Sequence, residues 1–202
     1  MKEIWNNFWK SEKLIYKPIH ILKNLYFTKI KAEYIKKFIS HSYVLEVGCG
    51  NGKLLNLLPK ENTFVGLDIS HIALKEAKKE ISDKNISLLL GDALHLKFKD
   101  NSFDLVLVDG LVEHYTEKIE KLIKETYRVI KKGGYLIIIL TNNDFIRKML
   151  FKYIYVWDKE KIKTTKEYKR IFDEIFSKNS KEYKIGVLPR SFGTVMTVVV
   201  KK

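Results

Sequence analysis

The sequence predicts an α/β fold built on a mostly parallel sheet with helices on both faces. Two observations carry this. Short runs that are apolar throughout recur along the middle of the chain, and stretches with apolar residues at helical spacing separate them. Strands covered on both faces read as continuous apolar runs, and parallel neighbours need a crossover between them. At 202 residues, with 46% hydrophobic and 31% charged residues, the chain fits a single domain. It can bury roughly 70% of its unfolded surface.

The elements follow in order. Residues 3–16 and 18–39 read as helices, with Pro18 suited to a first helical position. Residues 43–47 are an apolar run ending in glycines, hence a buried strand. Residues 53–58 read as a short helix stopped near Pro59, and 63–67 as a second strand. Ser70 can cap the next helix, whose Ile72, Ala73, Ala77 and Ile81 keep helical spacing. Residues 86–90 and 103–108 are the third and fourth strands. A helix over 116–131 buries Ile119, Leu122, Ile123, Tyr127 and Ile130 and ends at Gly133-Gly134. Residues 135–140 are the fifth strand. Residues 143–157 and 165–178 read as helices. Residues 183–188 and 194–200 then form two strands joined by a short loop, which predicts an antiparallel hairpin.

The charge is uneven. The net charge is +14. Residues 1–40 carry +6, residues 41–141 are neutral, and residues 142–202 carry +8. The flanks also hold eighteen of the aromatics and all three Trp. Cys49 is the one cysteine, so an internal disulfide is excluded and a thiolate zinc site is disfavoured. No apolar stretch approaches about 18 residues, which argues against a membrane span. Residues 1–15 lack the apolar core of a secretory signal. The expected setting is cytoplasmic.

The sharpest motif is Val44-Leu45-Glu46-Val47-Gly48-Cys49-Gly50-Asn51-Gly52. A strand runs into three glycines and then a predicted helix, whose free N–H groups would face a polar ligand. A dinucleotide fingerprint needs glycine at the sixth position, where Lys53 stands. The spacing G-x-G-x-G with Glu46 in the strand resembles the class I S-adenosylmethionine-dependent methyltransferases. Four further segments match that family in order. They are Gly66-Leu67-Asp68-Ile69-Ser70, Gly91-Asp92-Ala93, the run 103–110 ending Asp109-Gly110, and Arg128-Val129-Ile130-Lys131-Lys132-Gly133-Gly134. The resemblance covers about residues 41–141, and the terminal hairpin fits as the family's last two strands.

The resemblance implies a seven-stranded, mostly parallel Rossmann-like sheet. A helical N-terminal cap (1–40), a cofactor-binding core (41–141) and a helical insert with the last two strands (142–202) would make one domain. It implies S-adenosyl-L-methionine as cofactor. Asp68 would accept from the ribose hydroxyls, with Ile69 beside it. Asp92 would accept from the adenine amino group, with the Ala93 N–H facing a ring nitrogen, or serve only as an ordinary turn Asp before a loop. Gly48, Cys49 and Gly50 would pass the methionyl part. Glu46 would hold the loop near the cofactor's amino group, or serve only as a strand-end acid. Asp109 would approach the ammonium through its carbonyl, or cap its strand. Cys49 reads as a small filler rather than a nucleophile.

Val112-Glu113-His114-Tyr115 resembles the "LEH" stretch of the family's small-molecule enzymes. It makes His114 the candidate base, since imidazole titrates near neutrality; a packing role fits the same position. Tyr115 either lines the acceptor pocket or belongs to the core. The chain has no Asn/Asp-Pro-Pro-aromatic tetrad after strand four and no second Cys for attack on a pyrimidine carbon. Trp5, Phe8, Trp9 and Tyr16 are candidates for a lid; Phe145, Phe151, Tyr153, Tyr155 and Trp157 are candidates for an opposing wall. The basic, aromatic flanks suit a small anionic or amphipathic acceptor. An RNA acceptor, an acidic membrane surface, and a non-catalytic cofactor-binding scaffold are the alternatives. The sequence assigns no metal and no oligomeric state.

Overall fold

The computed structural model describes residues 1–15, 18–81, 85–115, 117–141, 163–177, 183–189, 191 and 195–202. Among these, five helices and seven strands alternate: α1 Lys2–Ile15, α2 Pro18–Ile35, β1 Tyr43–Val47, β2 Thr63–Asp68, α3 His71–Glu80, β3 Ile86–Leu90, β4 Phe103–Asp109, α4 Ile119–Arg128, β5 Ile130–Thr141, α5 Thr165–Ser177, β6 Tyr183–Val187 and β7 Val195–Lys201. One sheet holds all seven strands in the order β3-β2-β1-β4-β5-β7-β6. The first five are parallel, and β7 runs antiparallel between β5 and β6. The order reverses at β1 and β4. Their C-terminal ends therefore flank the crevice where ligands bind in open α/β sheets.

The predicted architecture is thus present. Alternation of side chains sends Leu45, Val47, Val106 and Val108 to one face, where α4 and α5 cover them with Leu122, Ile123, Tyr168, Phe172 and Phe176. Val44, Leu105, Leu107, Ile137 and Ile139 meet Ile30 and Ile35 of α2 and Leu74 of α3 on the other. Ser70 caps α3 by accepting from the Ala73 N–H at 3.2 Å. Thr164 and Glu167 form a reciprocal capping box at α5, with the Thr164 N–H on Glu167 at 2.7 Å and the Glu167 N–H on Thr164 at 3.3 Å.

Four local expectations change. Instead of a helix over 53–58, a single 3-10 turn spans Leu55–Leu57. Leu54, Leu55 and Leu58 are drawn into the core, and a residue before Pro59 resists helical geometry. The fourth helix is shorter than 116–131. Ile130 leaves it to pair with Phe103, and β5 regains register at Tyr135 opposite Leu105. Gly133 and Gly134 therefore sit within the β5 run rather than at a helix end, and Gly134 passes so close that a Cβ would lie 2.6 Å from the Asp104 carbonyl oxygen. The third strand is not buried on both faces. It is the sheet edge, and Leu89 and Leu90 are 42% and 55% exposed. The predicted helix over 143–157 lies outside the described residues.

Gly66 of β2 carries the glycine loop's floor. A Cβ there would meet Cys49 Sγ, Leu55 Cδ1 and Leu88 Cδ2, each at 2.9 Å. Gly66→Ala is expected to destabilise the fold by about 1–3 kcal/mol through overpacking, read as a lowered Tm in thermal denaturation.

Candidate active site

The site begins where β1 ends. Gly48 and Gly50 take φ of +79° and +54°, the left-handed region in which glycine carries no Cβ penalty. The loop folds onto the end of β2. The Gly48 and Cys49 N–H groups both donate to the Leu67 carbonyl, at 2.7 and 3.0 Å. The Gly50 N–H donates to Asp68 Oδ2 at 2.9 Å. Three of the loop's amides, those of Gly48, Cys49 and Gly50, thus close the turn against β2 rather than face a ligand. The Cys49 side chain is buried beside Gly66, which fits a filler. Burial pushes its thiol well above the ordinary range, with Glu46 and Asp68 adding to the rise.

Asp68 is the last residue of β2 rather than a residue beyond it. It is 8% exposed. Its second oxygen accepts from the Ser70 N–H at 2.8 Å. Burial raises its pKa, while bonds from the Ser70, Gly50 and Ile69 amides pull it back. Each carboxylate oxygen can accept more than one bond, so both retain capacity for a ligand hydroxyl. Ile69 beside it is half-buried.

Glu46 lies under the loop, opposite Gly66 on β2 and Leu107 on β4. It is 3% exposed, and its Oε2 makes no hydrogen bond among the described residues. Burial drives its pKa well above the ordinary carboxylate range, Asp109 and Asp68 add to the rise, and Lys31 opposes it. A buried acceptor without a donor is costly to a fold and suits an ammonium ligand. At the end of β4, Asp109 takes the Lys31 ammonium on both oxygens, each at 2.8 Å.

On the far side, Asp92 Oδ1 accepts from the Leu94 N–H at 2.9 Å, and Oδ2 lies 3.3 Å from His95 Nδ1. His95 Nε2 is in turn 2.7 Å from Lys121 Nζ. Ala93 is buried and Asp92 partly open. Tyr115 is 5% exposed. Burial, then the charges of Asp92 and Asp68, push its phenol up to about 12. Tyr115 is thus packed into the core near both acids.

Helix α1 crosses this edge. Ser70 Oγ donates to Asn6 Oδ1 at 2.8 Å. The Trp9 ring sits so close to the loop that a Cβ on Gly50 would be 2.9 Å from it. Trp5 packs edge-on against the His114 ring at 4.8 Å and against Phe8 at 5.7 Å. His114 lies on the 3-10 turn Val112–His114 that follows β4. Of the lid candidates, Trp9 therefore meets the glycine loop and Trp5 the candidate base, while Phe8 packs against both Trp rings. Tyr16, Phe145, Phe151, Tyr153, Tyr155 and Trp157 lie outside the described residues. Lys31 and Asn6 were not singled out in the sequence, where each is one polar residue in a basic flank.

The strand order, the antiparallel β7 and the acid-floored glycine loop define a class I, Rossmann-like methyltransferase architecture. Residues 45–138 match the family described as a methyltransferase domain. A demethylmenaquinone methyltransferase of Lactiplantibacillus plantarum is 31% identical over 152 residues, covering 71% of this chain and 60% of that protein. A tRNA (carboxymethyluridine(34)-5-O)-methyltransferase of Arabidopsis thaliana is 35% identical over 109 residues, covering 53% of this chain and 26% of its own length. The chain thus spans about a quarter of one relative and 60% of the other, under two thirds of either. The solved S-adenosylmethionine-dependent methyltransferase of Aquifex aeolicus shares the fold, with a TM-score of 0.69 at 17% identity, covering 92% of this chain and 98% of that one. Residues 45–138 thus resemble a methyltransferase domain, and the fold is the one seen in solved S-adenosylmethionine-dependent methyltransferases, whose cofactor is S-adenosyl-L-methionine. Among the described residues no helix is long and apolar enough to cross a membrane, and no group of three His, Cys, Asp or Glu is placed to hold a metal.

Proposed function

We propose that this chain transfers a methyl group from S-adenosylmethionine to a small acceptor, anionic or amphipathic, that reaches the site beneath α1. The observation that carries this is the convergence of Glu46, Asp68 and Asp109 at the C-terminal ends of adjacent strands, with Trp9 against the neighbouring glycine loop and Trp5 against His114. The acids fit the cofactor's donors. Glu46, with its orphaned oxygen, and the Asp109 backbone carbonyl suit an ammonium; Asp68 suits two ribose hydroxyls; Asp92 and the Ala93 N–H suit the adenine edge. When bound, the cofactor supplies an electrophilic methyl on a sulfonium sulfur. The protein's share is alignment and exclusion of water. Gly48 and Gly50 let the backbone approach, and Trp9 closes over the loop. In this reading His114, packed against the Trp5 edge, takes a proton from an acceptor that must lose one.

His114→Ala tests that last role. With such an acceptor the rate is expected to fall by roughly a hundredfold or more, and the gap narrows as pH rises towards the acceptor's own pKa. A small, pH-independent change would leave His114 as packing. The basic charge of both flanks supports an anionic acceptor. The same charge and the likeness to a tRNA methyltransferase support RNA as the second reading. Transfer of a labelled methyl group in a cell extract, with products separated into RNA, protein, lipid and small metabolites, decides between them. Label in small metabolites or lipid is expected, and label confined to RNA would overturn the first reading.

A further inference from the structure

Lys31 reaches from α2 to the end of β4 and lays its ammonium on both oxygens of Asp109. The two side chains are only 20% and 17% exposed, so the pair stands largely out of water. Its neighbours make the place more acidic still. Glu46 lies buried on β1, Asp68 lies buried on the next strand, and the Lys31 charge draws Glu46 towards its ionised form.

A ligand with an amino-acid tail brings two opposite charges into this crevice. Its ammonium finds several carboxylates. Its carboxylate would meet only repulsion from Glu46, Asp68 and Asp109 unless a cation received it, and a charge taken out of water without a partner is strongly disfavoured. A lysine ammonium is a compact group with three rotatable N–H donors. It can bridge Asp109 and a ligand carboxylate, or exchange one for the other as the ligand's own ammonium arrives.

We infer that Lys31 reads the carboxylate of the cofactor's amino-acid tail, so that the site selects S-adenosylmethionine and S-adenosylhomocysteine over adenosyl amines that lack it. The inference rests on the cofactor reading given above. The residue is a specificity determinant for that ligand.

The test compares two probes that share adenosine, sulfur and ammonium. These are S-adenosylhomocysteine and its decarboxylated counterpart, S-adenosyl-3-thiopropylamine. Each is titrated calorimetrically into the wild-type chain, Lys31→Met and Lys31→Arg, with folding checked by thermal denaturation. The wild type is expected to prefer the carboxylate-bearing probe. Lys31→Met loses roughly tenfold to a hundredfold in affinity for S-adenosylhomocysteine and binds the amine as well as before or better. Lys31→Arg keeps part of the preference, and it carries the test if Lys31→Met fails to fold. Equal weakening of both probes by either variant, or a preference that survives in Lys31→Met, would overturn the inference while leaving the cofactor reading intact. A folded wild type that binds neither probe would overturn both.

Discussion

Asp68→Ala is expected to weaken S-adenosylhomocysteine binding by about 1.5–3 kcal/mol, roughly tenfold to a hundredfold. The carboxylate is a charged acceptor, and charged acceptors make the stronger bonds. Removing it also strips the Gly50 and Ser70 N–H groups of their partner. An orphaned buried donor carries a penalty of about 1–3 kcal/mol, so Tm should fall as well. Asp68→Asn separates the two effects. It retains one carbonyl oxygen for a backbone donor and keeps the shape of the turn, yet it presents an amide where a charged acceptor stood. The expected outcome is a folded protein with weakened binding. Unchanged affinity in both variants would remove Asp68 from the ribose role.

Glu46→Gln is expected to separate binding from stability in the opposite sense. Glu46 is buried, and its pKa is raised in the folded chain. A carboxyl raised above its unfolded value binds its proton more tightly when folded. It therefore opposes folding increasingly as pH rises from the unfolded pKa through the folded one. Gln carries no charge, so the variant should match or exceed the wild-type Tm at neutral pH, and that difference should vanish under acid conditions. Binding should move the other way. Without the carboxylate a ligand ammonium loses a buried partner, and affinity for S-adenosylhomocysteine should drop by roughly tenfold or more. In the wild type the arriving ammonium favours ionised Glu46, so binding should release protons across the window between its bound and free pKa values. Affinity should rise with pH there. Calorimetry in buffers of different ionisation enthalpy reads the proton release directly. A Glu46→Gln variant that is less stable at neutral pH and binds as tightly would contradict this account.

Much of this architecture was legible in the sequence because it is encoded locally. Apolar runs of strand length, helical spacing and the Ser70 cap fixed the alternation, and the glycines after β1 fixed the loop. Asp68, Asp92 and Asp109 were legible because each stands at or just beyond a strand end, where a parallel sheet gathers its loops. What stayed illegible depends on partners far along the chain. Lys31 meets Asp109 across 78 residues, and Asn6 meets Ser70 across 64. No local pattern distinguishes either from its neighbours in a basic helix. The contact of Trp9 with the loop is of the same kind: its aromatic character was visible, its target was not. The 3-10 turn after the loop went unread because helical spacing over six residues does not reveal that the loop's amides are already held by Leu67 and Asp68. The exposure of β3 follows from its place at the sheet edge, which an apolar run cannot disclose. The shortened α4 reflects Ile130 pairing with Phe103, a tertiary preference that overrides helical continuation.

Titration of the folded chain with S-adenosylhomocysteine, wild type beside Asp68→Asn, is the most direct measurement of whether the loop after β1 and the acid ending β2 together form a cofactor cradle. Saturable one-to-one binding that the substitution weakens at least about tenfold is the predicted result. A folded wild type that takes up no ligand, or a variant that binds it equally well, would contradict it.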